Sequence, residues 1–375
     1  MTLSRRNALL ATAAVVGVAP HRFWSLPAVA EQRLPPVYSV TPVAFDGVWV
    51  WENEPESQKG IVDGREFELE VGVRWRSDGE VLNLKSSTVA PVAFPEQQVL
   101  DFRIEKSEGC DAQVVPLSNT VGQLQVSSPR LERGQHVEAK AVYRLRISRF
   151  CPHYDKSQFP ISQPIGQAIR QAGLGNSPGI RSDWDSVQRI VKAVTSKHEL
   201  PWDKAKRFYH WVWENIEGKL GEYTSVREAI DQKVGDCEER AGVFIALCRA
   251  AGIPARLVWV PNHSWAEFCL LDHQGQPHWI PAHTAAYNWF GWTGAHELVL
   301  QKGDRFRMPG KNSVVRLISD WYSFRGRRPM IEFFGDLKPV AETGRDAGPG
   351  RRRKTRQAGW ELVGNHPSNR RIRGE

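Results

Sequence analysis

Cys237 and His263 are the two residues of this chain whose types and settings point to covalent chemistry. Cys237 stands in Gly235-Asp236-Cys237-Glu238-Glu239-Arg240-Ala241, at the mouth of a helix that the pattern carries to Ala251. A cysteine in the first helical turn meets the positive end of the helix dipole. It also meets N–H groups that have no intrahelical partner, and both favour thiolate over thiol. A thiolate is a nucleophile, and a nucleophile of this kind is usually served by a base that a third group orients. His263 lies in Pro261-Asn262-His263-Ser264-Trp265-Ala266-Glu267-Phe268, at the start of a strand, where an imidazole can be held rigidly against a helix end. The chemistry this pair suggests is acyl transfer. The cysteine attacks an amide carbonyl, the histidine shuttles the proton, and a thioester passes to water or to an amine. The backbone N–H of Cys237 is a natural donor to the oxyanion.

The elements needed to hold these residues are legible around them. Ala241, Phe244, Ile245, Leu247 and Cys248 recur at helical spacing, Gly252 suits the position just past a helix end, and Pro254 forbids continuation. Asp236 suits the N-cap. Ala255 to Val260 and Trp265 to Leu271 read as strands, Gln274-Gly275-Gln276 as a turn, and His278-Trp279-Ile280-Pro281 as the start of a third strand. Three helices are expected before the nucleophile. One is capped by Asp183 and carries Val187, Ile190, Val191 and Val194. A second runs from Asp203 to Ile216, and a short third opens with the capping box Ser225-Val226-Arg227-Glu228. Helices followed by antiparallel strands make an α+β order.

Gly-Asp-Cys-Glu-Glu-Arg-Ala, Leu-Cys-Arg-Ala-Ala-Gly-Ile-Pro-Ala-Arg, Asn-His-Ser-Trp-Ala-Glu-Phe and the helix from Lys204 to Ile216 together resemble the bacterial transglutaminase-like superfamily. The resemblance covers roughly residues 185 to 295. It implies a papain-like Cys-His-Asp arrangement with Cys237 as nucleophile and His263 as general base. The third position departs from the family. Alignment on Trp279 sets His283 where an aspartate is expected. A neutral histidine accepts the same hydrogen bond but offers no negative charge, so the imidazolium and the thiolate should be less populated. By analogy with disturbed triads the rate should fall on the order of 10²-fold or more. Asp272 is an alternative carboxylate, at the far end of its strand. Two other readings stay open. The site could be a degenerate binding or assembly module of the cell envelope, or zinc could sit on Cys237, His263 and His283 with water as fourth ligand.

Residues 31–155 read as a β-rich, sandwich-like domain, with period-two alternation in Glu66–Val73 and Val137–Ile147. Residues 156–182 read as a linker, 183–339 as the transglutaminase-like domain, and 340–375 as a basic disordered tail. Residues 1–30 resemble a twin-arginine export signal, with Arg5-Arg6, a short apolar run and Ala28-Val29-Ala30. A periplasmic or other extracytoplasmic location follows, as does a mature chain without a transmembrane segment. Of the net charge of +8, residues 1–30 carry +3 and residues 340–375 carry +5, which leaves residues 31–339 at zero. A neutral body argues against nucleic-acid binding. No cofactor signature is present. The expected partner is a peptide or protein substrate, cell-wall peptides being natural for the location, with hydrolysis favoured over cross-linking. The oligomeric state is not legible. Of five cysteines, Cys110 and Cys151 could pair after export, while Cys248 and Cys269 read as core. Eight of the fifteen tryptophans fall between 202 and 292. Trp289 and Trp292 are candidates either to line a cleft or simply to pack.

Overall fold

Strands dominate the first half of the chain because alternate positions are apolar. The computed structural model describes residues 60–340 apart from 153, 220, 286–288 and 308–313, and the backbone of a short hairpin, Val43–Phe45 with Val48–Val50. The expected export signal and the basic tail beyond Val340 lie outside the described residues.

The chain divides into two compact units, one built on residues 64–147 and the stretch from 319 onward, the other on residues 148–318. The first holds two four-stranded antiparallel sheets. One is formed by β1 (Gly60–Arg76), β3 (Gln97–Lys106) and β6 (His136–Cys151), the other by β2 (Val81–Ala90), β4 (Asp111–Ser118) and β5 (Val121–Leu131). In β1 the residues Phe67, Leu69, Val71, Val73 and Trp75 are all buried, the single-face burial that period two dictates.

The fourth strand of each sheet comes from far along the chain. Trp321–Gly326 pairs with β2, and Met330–Pro339 pairs with β1 from Met330 against Arg76 to Pro339 against Phe67. The stretch expected to close the transglutaminase-like domain at 339 therefore completes the N-terminal sheets instead. Strand partners are chosen by edges available in the folded chain, and nothing within the strands' own sequence names the partner.

The second unit positions the candidate site. Its helices are α1 (Gln167–Gly173), α2 (Asp185–Val194), α3 (Pro201–Asn215), α4 (Val226–Gln232) and α5 (Cys237–Ala250). Its main sheet is antiparallel, in the order β9 (Pro277–Ala282), β8 (His263–Leu271), β7 (Ala255–Val260), β10 (Gln301–Lys302). The three helices expected before the nucleophile are present. Ser225 caps α4 by accepting from the N–H of Glu228 at 3.2 Å. Asp183 does not cap α2: its carboxylate takes the Arg181 guanidinium, and Trp184 occupies the N-cap position.

The expected linker at 156–182 is folded onto this unit. It contains α1, buries Phe159, Ile165 and Ile180, and ties to the end of β8 through Gln163 and the backbone of Leu271. Its Pro, Gly and Ser content suits a meandering strap as well as a free linker, so composition does not separate the two.

α5 is buried on every side from Glu238 to Arg249. It packs on β7 and β8 and is surrounded by α2, α3 and α4, so it needs no polar stripe. Phe208, Tyr209 and Val212 of α3, Phe244 and Leu247 of α5, and Trp259 and Phe268 of the sheet share one apolar core. α5 ends in a Schellman turn. Ile253 N–H bonds the Cys248 carbonyl at 2.8 Å and Gly252 N–H bonds the Arg249 carbonyl at 3.0 Å, with Gly252 at φ 79°.

Candidate active site

The N-terminus of α5 is closed by a capping box. Asp236 accepts from the N–H groups of Glu238 at 2.7 Å and Glu239 at 3.3 Å, and Glu239 accepts in return from Asp236 N–H at 3.0 Å. Glu239 also accepts from Thr224 N–H at 2.7 Å. Burial, and then the neighbouring Asp236, raise the Glu239 carboxyl above its ordinary range. This cap fixes Cys237 as the first helical residue.

Cys237 is half-buried, whereas Cys110, Cys151, Cys248 and Cys269 are buried. Burial pushes the Cys269 thiol up to about 12 and the Cys248 thiol well above its ordinary value, so both stay protonated. No disulfide joins any of the five cysteines. The pairing considered for Cys110 and Cys151 is not formed. Cys110 Sγ lies 3.2 Å from the Ser107 carbonyl, and Cys151 Sγ lies 3.6 Å from that of Thr293.

His263 opens β8 directly after the Pro261-Asn262 turn, where Asn262 takes φ 57°. Its register partner is Val260 on β7. The next residue, Ser264, sets its hydroxyl 4.0 Å from Cys237 Sγ. β9 carries the third residue: the strand ends at Ala282, and His283 follows with its N–H on the Trp289 carbonyl at 2.9 Å.

The structure brings His263 and His283 together, Nε2 to Nε2 at 2.9 Å, with ring centroids 4.8 Å apart. Two nitrogens at that separation share one proton. His283 is fully buried, and burial, followed by the nearby His263, holds it well below the ordinary histidine range. It is therefore neutral at physiological pH. A neutral His283 can accept at Nε2, and His263 then carries its proton on Nε2. That tautomer leaves the lone pair of His263 on Nδ1. The reverse arrangement would end as soon as His263 became imidazolium, since both of its nitrogens would then be donors.

Aromatic walls enclose the pair. Trp265 lies nearly parallel to His283 at 6.4 Å, and Trp289 meets it edge-on at 5.2 Å. Trp289 is buried and packs on Trp292 at 5.0 Å, so of the two roles open to it, packing behind His283 is the one seen. Asp272 stays at the far end of β8, bonded to His278 at 2.9 Å. Glu267 is not part of the cluster. Burial alone would raise its carboxyl, yet Arg256 and Lys302 grip it and hold it below the ordinary range.

Among the described residues, no three His, Cys, Asp or Glu side chains are arranged to hold a metal ion.

Sequence reasoning passed over Arg240 and Glu297. Arg240 is buried three residues after Cys237, a helical spacing that could have flagged it. Glu297 is buried in a loop beside Trp265, and burial raises its carboxyl to about 8. No local pattern around Glu297 marks it.

The family model of the transglutaminase-like superfamily matches residues 188–284, a span that opens in α2 and closes just past His283. Residues 188–284 are a transglutaminase-like domain. A candidate cysteine protease from Cytophaga hutchinsonii has a similar solved structure. The TM-score is 0.51 at 17% identity, over 80% of this chain and 99% of that one. At this identity the likeness speaks for the fold alone. The periplasmic domain of TgpA from Pseudomonas aeruginosa, bound to ethylmercury, aligns over 68% of this chain and 88% of that one, at 16% identity. Its TM-score of 0.29 is too low to carry an argument. No curated protein matches the sequence. No described helix is long and apolar enough to cross a membrane.

Proposed function

We propose that the protein is an exported, cysteine-dependent acyl-transfer enzyme that cleaves peptide or isopeptide amides through a thioester. The observation that carries the reading is the cap-fixed Cys237 at the N-terminus of α5, with His263 held at Nε2 by a neutral His283.

The reaction begins with transfer of the Cys237 thiol proton to His263 Nδ1. The thiolate attacks the amide carbonyl carbon, and the resulting oxyanion takes the N–H of Cys237. The intermediate collapses, the C–N bond breaks, and the amine leaves with the proton from His263. A thioester remains. Water, deprotonated by His263, attacks it and returns Cys237 as the thiol and the acyl group as a carboxylic acid. An amine in place of water would give a cross-link. We favour water, because a half-exposed thioester is open to hydrolysis. His283 contributes a dipole where the family usually places a charge, so the imidazolium is supported less strongly. Peptides of the cell envelope are the natural substrates if residues 1–30 direct twin-arginine export.

The neutral His283 also favours a second reading, in which the fold persists as a binding or assembly module without catalysis. Alkylation by iodoacetamide separates the two. The rate at Cys237, assigned by mass spectrometry, would be followed from pH 4 to 9 in wild type and in His263→Ala. Labelling that is fast well below the free-thiol pKa of about 8.5, and slowed in the variant, supports the enzyme. Labelling that follows an ordinary thiol in both supports the module.

A further inference from the structure

Arg240 sits one helical turn beyond Cys237, on the same face of α5. The residue is 7% exposed. The guanidinium carbon lies 4.7 Å from the centre of the Trp213 ring, and a Cβ on Gly218 would come within 3.2 Å of Nη1. Its Nε is buried and makes no hydrogen bond, and among the described residues no carboxylate pairs with it. The acids beside it in sequence are engaged elsewhere. Glu238 holds Arg316, and Glu239 takes the backbone N–H groups of Thr224 and Asp236.

The titratable groups close enough to sense Arg240 are Tyr209, Cys237 and His283. Burial lowers Arg240 to about 10, so it is a cation at neutral pH. The other buried arginines of this unit each meet an acid, Arg249 with Asp304 and Arg149 with Asp63, as do the half-buried Arg256 with Glu267 and Arg316 with Glu238. A buried cation held without an anion is costly, and buried charges are found paired or bound to ligands. A guanidinium presents a planar fork that suits a carboxylate in a two-point contact. The thiolate of Cys237 is a single point, already served by the helix N-terminus.

We propose that Arg240 is an anion subsite beside Cys237, and that the acyl substrate carries a carboxylate close to the carbonyl that Cys237 attacks. The inference rests on the reading of Cys237 as the nucleophile, and it narrows the substrate from amides in general to acidic ones.

Two alkylating reagents of nearly the same size test it. Iodoacetate carries a carboxylate and iodoacetamide is neutral; in both, the sulfur displaces iodide. The measured quantity is the ratio of the two rate constants at Cys237 in the full chain. Arg240→Gln should lower that ratio about tenfold, since a charge-assisted hydrogen bond is lost; any change in the thiolate population of Cys237 acts on both reagents alike and cancels in the ratio. Arg240→Lys keeps the charge and should restore part of the ratio, which excludes misfolding as the cause. Competition by acetylated dipeptides against iodoacetamide identifies the carboxylate. Better protection by alanyl-alanine, with a free terminal carboxylate, assigns a chain end. Better protection by alanyl-glutamate amide assigns an acidic side chain. Equal protection by both and by the neutral alanyl-glutamine amide overturns the proposal. A ratio unchanged in Arg240→Gln overturns it too, as does an equal fall with both reagents, which would make Arg240 a partner of the thiolate alone. If wild-type Cys237 reacts as an ordinary thiol with both reagents, the nucleophile reading itself fails and the inference falls with it.

Discussion

The two units of this protein treat charge in opposite ways. In the N-terminal sheets the ions stand on outer faces and pair across strands: Lys140 with Glu70 and Glu105, Arg74 with Glu138, Arg144 and Arg146 with Glu66. In the transglutaminase-like unit they lie inside: Arg249 on Asp304, Glu238 on Arg316, Glu267 on Arg256 and Lys302. The outer pairs sit in high dielectric and add little each. The inner ones are costly to desolvate and are held by several hydrogen bonds apiece. Arg240 and Glu297 go further: both are buried, and among the described residues neither is held in an ion pair. The difference teaches where to look for function. A fold that tolerates unbalanced polar groups in its interior does so where chemistry or binding can use them.

The comparison is broken most severely by removing one side of a buried pair. Arg249→Met should destabilise the protein by about 3–5 kcal/mol, because it strands the Asp304 carboxylate with only the Ser177 hydroxyl at 2.6 Å. Urea unfolding reads the change as a lower midpoint at constant slope. A loss within experimental error would mean the inner pairs are worth no more than the outer ones.

Next in size is His283→Ala. Removing the acceptor at Nε2 leaves His263 unoriented, and iodoacetamide labelling of Cys237 at pH 6 should slow by about 10²-fold. Fold stability is measured on the same samples by urea unfolding. A variant that stays folded and labels as fast as wild type would remove His283 from the site.

Glu297 sharpens the comparison through pH. Its folded carboxyl is raised to about 8, whereas the unfolded one titrates near 4.3. The folded state therefore holds the proton more tightly. Its stabilising contribution is complete below the unfolded value and is lost as pH rises toward about 8, with a slope of about 1.4 kcal/mol per pH unit. His283, whose folded value is depressed, acts in the opposite sense. Its contribution is complete above the unfolded value of about 6.5 and is lost as pH falls. Glu297→Gln should thus lessen, without abolishing, the decline between pH 6.5 and 8, where His283 no longer titrates in either state and the raised Glu239 carboxyl supplies the remainder. Unfolding midpoints across that range check it, and an unchanged decline would remove Glu297 as its source.

The smallest effect belongs to the sheets. Lys140→Ala should cost about 1 kcal/mol or less and leave Cys237 labelling unchanged. A larger loss would mean that the cross-strand ions behave like the inner ones.

Much of the site was legible in the chain. Asp236 as cap, Gly252 as the residue past the helix end, His263 at a strand start and the strand order on either side of it depend on neighbours within a few residues. Hydrogen-bond caps, steric stops and hydrophobic period are local, and local physics is written in local sequence. The same locality explains the misreadings. Asp183 has the right residue type for a cap, yet Arg181, two positions away, takes its carboxylate. Residues 156–182 have a linker's composition, yet Phe159 and Ile180 find a core to enter.

The sequence by itself determined the α5 helix, its cap and the hairpin that presents His263. Only the tertiary structure decided that His283 reaches His263, and that Trp321–Gly326 and Met330–Pro339 complete the N-terminal sheets. It alone also decided that Glu238 and Glu239 bond elsewhere, so that among the described residues no acid pairs with Arg240. The reason is physical: a cap or a turn is settled by groups a few bonds away. A ring-to-ring hydrogen bond, a strand's partner and the balance of buried charge depend on which distant residues the folded chain brings to the same place.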